Sequence, residues 1–267
     1  MADRPLARGI LAWAIVALLL LGMAGVWFAK SPALHLGSPA VAADISQDEF
    51  EQRVRNYLLA HPEVVGEALN RLEAKRGELD AAAARAALRD HAAEVFQDPD
   101  SPVSGNSNGN VTLVEFFDYN CPYCRAMLPL MTQAEAADPW LRVVYKQFPI
   151  LGPDSVFAAK AALAANRQGK YVDFHRALYQ VRGHVDAAKV LELAATVGLD
   201  VQRMKADMQE QAIESELDKN GKLGELLHIT GTPGFVIGDL VTIGATTDFD
   251  ALQALIAKGR SRQQEAK

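Results

Sequence analysis

Two cysteines are all that this chain of 267 residues contains, too few for a disulfide framework to hold it together. A basic surplus is missing too, since 27 Lys and Arg stand against 33 Asp and Glu, a net charge of -6. With no basic run to neutralise phosphates, nucleic acid is excluded as a partner. Histidine is sparse: there are six, and none lies near the cysteine pair. A zinc site takes about four ligands and the cysteines supply half, so the pattern speaks against a metal centre. His175 and His184 read as packing or surface residues. Disorder is excluded as well, because 49% of the chain is hydrophobic.

The longest apolar run sets the compartment. Gly9 to Ala29 are 21 residues without a charge, enough helix to cross a hydrocarbon core of ~30 Å. Trp13 and Trp27 lie near its ends, where amphipathic rings favour the interface. Arg4 and Arg8 precede it and Lys30 follows. Residues 1–30 therefore read as an anchor with a cytoplasmic N-terminus and an exported remainder. The alternative is a signal peptide cleaved near Ala40-Val41-Ala42, which leaves a soluble periplasmic protein. Either way the cysteines face an oxidising compartment.

Residues 31–45 read as a tether. Ser46-Gln47-Asp48-Glu49 then matches a capping box, and Phe50, Val54, Tyr57 and Leu58 follow at helical spacing. His61-Pro62 ends or kinks that helix, and Pro62 opens a second at its first position, with Val65, Leu69 and Leu72 on one face. From Arg71 to Ala93 the composition favours helix but offers little bulk to bury. Residues 46–97 are therefore read as an exposed or folded-back helical segment, or as a stalk whose narrow apolar stripe joins chains into a homo-dimer or homo-trimer.

A boundary loop at 98–110, dense in Pro, Gly, Asn and Ser, opens a second pattern at 98–260. Val111–Phe117 and Leu141–Phe148 read as strands around a helix at Arg125–Ala137, a parallel βαβ unit. A helical insertion at about 154–227 follows, broken near Gly169, Gly183 and Gly198. Gly234–Ile237 and Leu240–Ile243 form a hairpin about Gly238-Asp239. A last helix spans about Thr247 to Lys258, and 261–267 read as a polar tail. The fold class is α/β, with a transmembrane or signal helix and a helical segment in front.

The cysteines, Cys121 and Cys124, sit in VEFFDYNCPYCR. As a staple they would close a ring of four residues, and loop-closure stabilisation grows with loop length. As chemistry the placement makes sense. Pro122 suits the first helical position, so Cys121 stands at a helix start, where unpaired N–H groups and the dipole favour a thiolate. Cys124, one turn further in, is shielded and can attack a mixed disulfide from inside.

FFDYNCPYCR, followed far downstream by GTPGF, resembles the DsbA-like branch of the thioredoxin superfamily. The helical stretch between these motifs matches that branch's insertion. The N-terminal helices resemble, more loosely, those of Com1-like and copper-sensitivity-suppressor types. The resemblance implies a thioredoxin fold and a protein thiol–disulfide oxidoreductase, oxidase or isomerase, that needs no cofactor beyond its dithiol. It implies Cys121 as nucleophile, Cys124 as resolving cysteine, and Thr232-Pro233 as a cis-proline loop that offers backbone to a substrate peptide. Pro122 and Tyr123 flank the nucleophile on the substrate side. Glu115 is either a solvent-facing strand residue or, by the resemblance, the acid that exchanges protons with Cys124, aided by Lys146 on the neighbouring strand. The implied partners are cysteine-containing exported proteins and a membrane redox protein that recycles the dithiol. Rival readings are a non-enzymatic peptide-binding or chaperone module, and a dedicated reductant for copper or cytochrome assembly.

Overall fold

The computed structural model describes residues 45–246 and 248–265. The anchor or signal segment at 1–30, and nearly all of the tether, lie outside the described residues. Among those described, no helix is long and apolar enough to cross a membrane. The chain divides between Gly66 and Glu67 into two compact units.

The first unit holds α1 (Gln47–Ala60) and the start of α2 (Glu63–Asp90). Ser46 caps α1 by accepting the Glu49 N–H at 3.3 Å. The reciprocal half of the capping box is replaced, because the Glu49 carboxylate takes Arg53 at 2.6 Å. The break at His61-Pro62 falls where expected, with Pro62 just outside α2. α1 buries none of its residues, and Phe50, Val54, Tyr57 and Leu58 are exposed.

In the second unit the last turns of α2 hold the first buried residues among those described, Ala84 and Leu88. A short α3 (Ala92–Phe96) follows, with Val95 buried. Strands β1 (Val103–Gly105), β2 (Val111–Phe117), β3 (Leu141–Gln147), β4 (Gly234–Ile237) and β5 (Leu240–Ile243) form one sheet in the order β1-β3-β2-β4-β5. β2 and β3 run parallel, joined across α4 (Pro122–Ala137), and the other pairs are antiparallel. The insertion is α5 (Pro153–Arg167), α6 (Tyr171–Tyr179), α7 (Ala187–Thr196), α8 (Val201–Asp207) and α9 (Gln211–Leu226). α10 (Phe249–Glu265) closes the chain. This is a mixed α/β, thioredoxin-like fold.

Alternation along the strands divides the core in two. Leu113, Phe117, Val143, Tyr145, Phe235 and Ile237 pack with residues of α4, the insertion and α10 on one face. Val114, Phe116, Val144 and Val236 pack with Leu88, Val95, Leu223, Leu227 and Ile229 on the other. Leu88 and Val95 thus belong to this core, each worth ~1.5–3 kcal/mol of burial.

Two expectations change. The loop at 98–110 contains the edge strand β1, whose partner is β3. Three residues of Val, Ser and Gly carry no readable period, and sheet edges tolerate such short strands. The final helix passes Lys258 and takes in most of the expected polar tail. Two of its arginines have partners: Arg262 holds Asp239 at 2.7 Å and Arg260 donates to Asn110 at 3.0 Å. Gly259 lets the helix approach β4, since a Cβ there would lie 2.2 Å from the Ile237 side chain.

Candidate active site

β2 delivers the chain to a tight turn at Asp118–Asn120, and Cys121 follows as the N-cap of α4 with Pro122 in its first turn. Both cysteines are free thiols, and Cys124 is fully buried. The Cys121 thiol donates to the Thr232 carbonyl at 3.2 Å, which brings two distant motifs together. The Thr232–Pro233 bond is cis and Pro233 is buried, whereas Pro122 and Tyr123 are exposed, Tyr123 by 66%.

The pair is electrostatically unequal. A hydrogen bond from Cys124 is the largest influence on the Cys121 thiol. With the Thr232 side chain and the N–H groups of Cys124 and Tyr123, it outweighs burial and lowers Cys121 from 9.0 to about 5. Cys124 moves the other way, raised by burial first, then by its bond to Cys121 and the nearby Glu115. UV titration of the reduced protein is expected to show thiolate absorbance half-developed near pH 5. A midpoint at or above the ~8.5 of a free cysteine would contradict this environment.

Glu115 settles the choice between a solvent-facing and a buried residue. Its side chain is 1% exposed, and its Oε1 has no hydrogen-bond partner. Burial, then the charges of Cys121 and Glu135, raises it from 4.5 to about 8. Its register partner on β3 is Tyr145.

Lys146 does not join it. The parallel register pairs Lys146 with Phe116, so it points to the opposite face of the sheet from Glu115. There its ammonium is buried 2.8 Å from Asp98, with Glu216 at 3.9 Å. Lys219 completes the cluster, 2.6 Å from Asp98 and paired with Glu216. Burial pushes the Asp98 carboxyl up, but the two lysines prevail and hold it at about 2. The strand period that makes Glu115 and Lys146 near neighbours also separates them by a sheet thickness. Asp98, Asp100 and Glu216 have ligand-like spacing, but Lys146 and Lys219 already pair with Asp98 and Glu216, and Asp100 is exposed.

Sequence reasoning missed Asp118, Asn120 and Ser155. The buried Asp118 carboxylate accepts from the Asn120 N–H at 2.8 Å, the Ser155 hydroxyl at 2.7 Å and the Leu151 N–H at 2.9 Å. Asp118 and Asn120 stand three residues and one residue before Cys121, the one cue to their place. His175 packs as expected, buried among Phe117, Tyr119, Tyr145, Tyr171 and Tyr179. Burial and then the neighbouring Arg176 lower it to about 3. His184 lies on the surface, paired with Asp154 at 2.7 Å.

The family model of the DSBA-like thioredoxin domain matches residues 112–257. The chain belongs to that family. A second model, the copper resistance protein ScsC N-terminal domain, matches residues 47–78. Among solved structures, a thioredoxin-like oxidoreductase from Silicibacter pomeroyi is 42% identical, with a TM-score of 0.61 over 63% of this chain and 97% of that one. ScsC of Proteus mirabilis, in a transitional conformation, is 29% identical over 80% of this chain and 97% of its own, with a TM-score of 0.61. The thiol:disulfide interchange protein DsbA of Bordetella parapertussis is 27% identical over 55% of this chain and 72% of that protein. The chain spans only 22% of the length of another relative, the Na(+)/H(+) antiporter NhaA 3 of Salinispora tropica, at 28% identity.

Proposed function

We propose that Cys121 attacks and Cys124 resolves in a periplasmic enzyme that exchanges disulfides with cysteine pairs of other exported proteins. The observation that carries this reading is the inequality of the two thiols, one lowered to about 5 at a helix start and the other buried and raised. A thiol lowered this far is both a ready nucleophile and a good leaving group.

In the reducing direction, the Cys121 thiolate attacks one sulfur of a substrate disulfide and a substrate thiolate leaves. Cys124 then gives its proton to Glu115 and attacks Cys121 Sγ, releasing the second substrate thiolate and closing the Cys121–Cys124 disulfide. Donation of a disulfide runs the same steps backwards. A stabilised Cys121 thiolate favours the reduced pair and therefore donation. Glu115, at about 8, lies near the pH at which a group passes protons both ways. Thr232 and cis-Pro233 offer backbone to an extended substrate, and Pro122 and Tyr123 form the exposed rim. Trapping of mixed disulfides in cells tests the whole assignment, through the cysteine variants taken up in the Discussion.

The exported compartment rests on the uncharged run from Gly9 to Ala29, which serves as an inner-membrane anchor or is cleaved to release a soluble periplasmic protein. The exposed Phe50, Val54, Tyr57 and Leu58 of α1 support self-association into a dimer or trimer. That would place several dithiols in one assembly, which favours isomerisation. Light scattering on residues 44–267 is expected to give a multiple of the chain mass, and on residues 78–267 the mass of one chain. The shorter piece keeps Ala84, Leu88 and Val95, which the domain core needs. Equal single-chain masses for both would remove the stalk reading.

A further inference from the structure

We infer that Asp118 is a positioning residue that couples the helical insertion to the dithiol and sets the reactivity of Cys121. This rests on the reading of Cys121 and Cys124 as the redox pair. Asp118 is 1% exposed, and both of its oxygens accept hydrogen bonds from three different segments. Oδ1 takes the Asn120 N–H, inside the turn that leads into Cys121, and the Ser155 hydroxyl, in the first turn of α5. Oδ2 takes the N–H of Leu151, in the loop between β3 and α5.

Asn120 extends the same connection. Its Nδ2 donates to Ser155 Oγ at 3.2 Å and to the Val185 carbonyl at 3.2 Å, while its Oδ1 accepts the Val185 N–H at 2.8 Å. Val185 lies between α6 and α7. Two anchor points on either side of Tyr119 thus tie the residues just before Cys121 to three places in or beside the insertion. The Asp118 backbone holds the other side of the turn, accepting the Cys121 N–H at 3.1 Å. The thiolate of Cys121 depends on donors fixed in direction, the Cys124 thiol and the N–H groups of Tyr123 and Cys124. Preorganised donors keep their strength only while the acceptor stays in place. Loosening the turn spoils that alignment, although the Asp118 carboxylate does not touch the Cys121 sulfur; the Asp118 N–H reaches the Cys124 sulfur instead. The same carboxylate fixes the loop that presents Ile150 and Leu151, both about half exposed.

Asp118→Asn keeps the shape of the side chain but converts one acceptor into a donor. Whichever way the amide faces, it meets a donor: the Leu151 N–H on one side, or the Asn120 N–H and Ser155 hydroxyl on the other. We expect the Cys121 midpoint to rise by about one pH unit, and the equilibrium constant for oxidising glutathione to fall about tenfold, ~30 mV in reduction potential. Ser155→Ala leaves two of the three donors to Asp118 and is expected to shift both readings in the same direction by less. Should Asp118→Asn fail to fold, Ser155→Ala carries the test alone. Leu252→Ala, in the core on α10, serves as the control for general loosening and should leave both readings unchanged. Folded Asp118 and Ser155 variants with wild-type midpoint and potential would overturn the inference. A wild-type protein whose Cys121 titrates like a free cysteine would instead overturn the dithiol reading beneath it.

Discussion

Replacing Cys124 with alanine is expected to stall the protein on its substrates, as mixed disulfides through Cys121. The variant keeps the exposed rim of Pro122 and Tyr123 and the Thr232-Pro233 loop, so the first attack proceeds. What it lacks is the internal thiol that breaks the intermediate. A well-oriented internal group acts at an effective concentration of ~10⁵ M or more, so dependence on free thiols in solution should slow turnover by at least about a thousandfold. Cys121 also loses the hydrogen bond that contributes most to its thiolate. Its midpoint should therefore rise from about 5, slowing the first attack far less than the second. Cys121→Ala should give no adducts, because Cys124 is fully buried and its thiol is pushed up. Non-reducing gels of cells that express each full-length variant provide the measurement. Adducts in equal amount from both variants would contradict the division of labour, and adducts from neither would favour a peptide-binding module without turnover.

What could be read in the sequence follows from how local each signal is. β2 and β4 were legible to the residue, because a buried strand is a short apolar run between turn residues. Cys121 and Pro122 were legible for the same reason, since a helix start is set by its own few residues. β1 was not, because Val103–Gly105 becomes a strand only through its pairing with β3. The continuation of α10 was equally hidden, since its polar residues are placed by Asp239, Asn110 and Ile237, all distant in sequence. The resemblance named Glu115 as an acid that exchanges protons with Cys124, aided by Lys146; the structure buries Glu115 and takes Lys146 away from it. The parallel register of β2 and β3 decides which strand residues share a face, and it sends Lys146 to Asp98 instead. Asp118 went unread because its three donors lie up to 37 residues away.

Exchange of Glu115 for glutamine is expected to make the protein more stable in alkali and worse at its chemistry. Glu115 is raised from 4.5 to about 8, chiefly by burial. Between these values the folded protein holds a proton there that the unfolded chain releases. Stability from this group is therefore complete below about pH 4.5, declines as pH rises, and is lost once pH passes about 8. One pH unit of displacement corresponds to 1.36 kcal/mol, so the full loss is on the order of 5 kcal/mol. Glutamine does not titrate, and Oε1 has no hydrogen bond to forfeit. Wild type and Glu115→Gln should match near pH 4.5 and diverge steadily up to pH 8.5, with the variant the more stable. Urea denaturation of both reduced proteins across that range gives the difference directly, and titrations common to both, Cys121 included, largely cancel. Curves that stay parallel would mean that Glu115 ionises freely in the fold. Activity should move the opposite way. Without an acceptor for the Cys124 proton, resolution of the mixed disulfide should slow by ~10²-fold, the usual scale of general acid–base assistance. The first attack by Cys121 should be at least as fast as in wild type, since the neighbouring carboxylate charge is gone. A variant that gains stability and loses resolution together would identify Glu115 as a strained group retained for proton transfer.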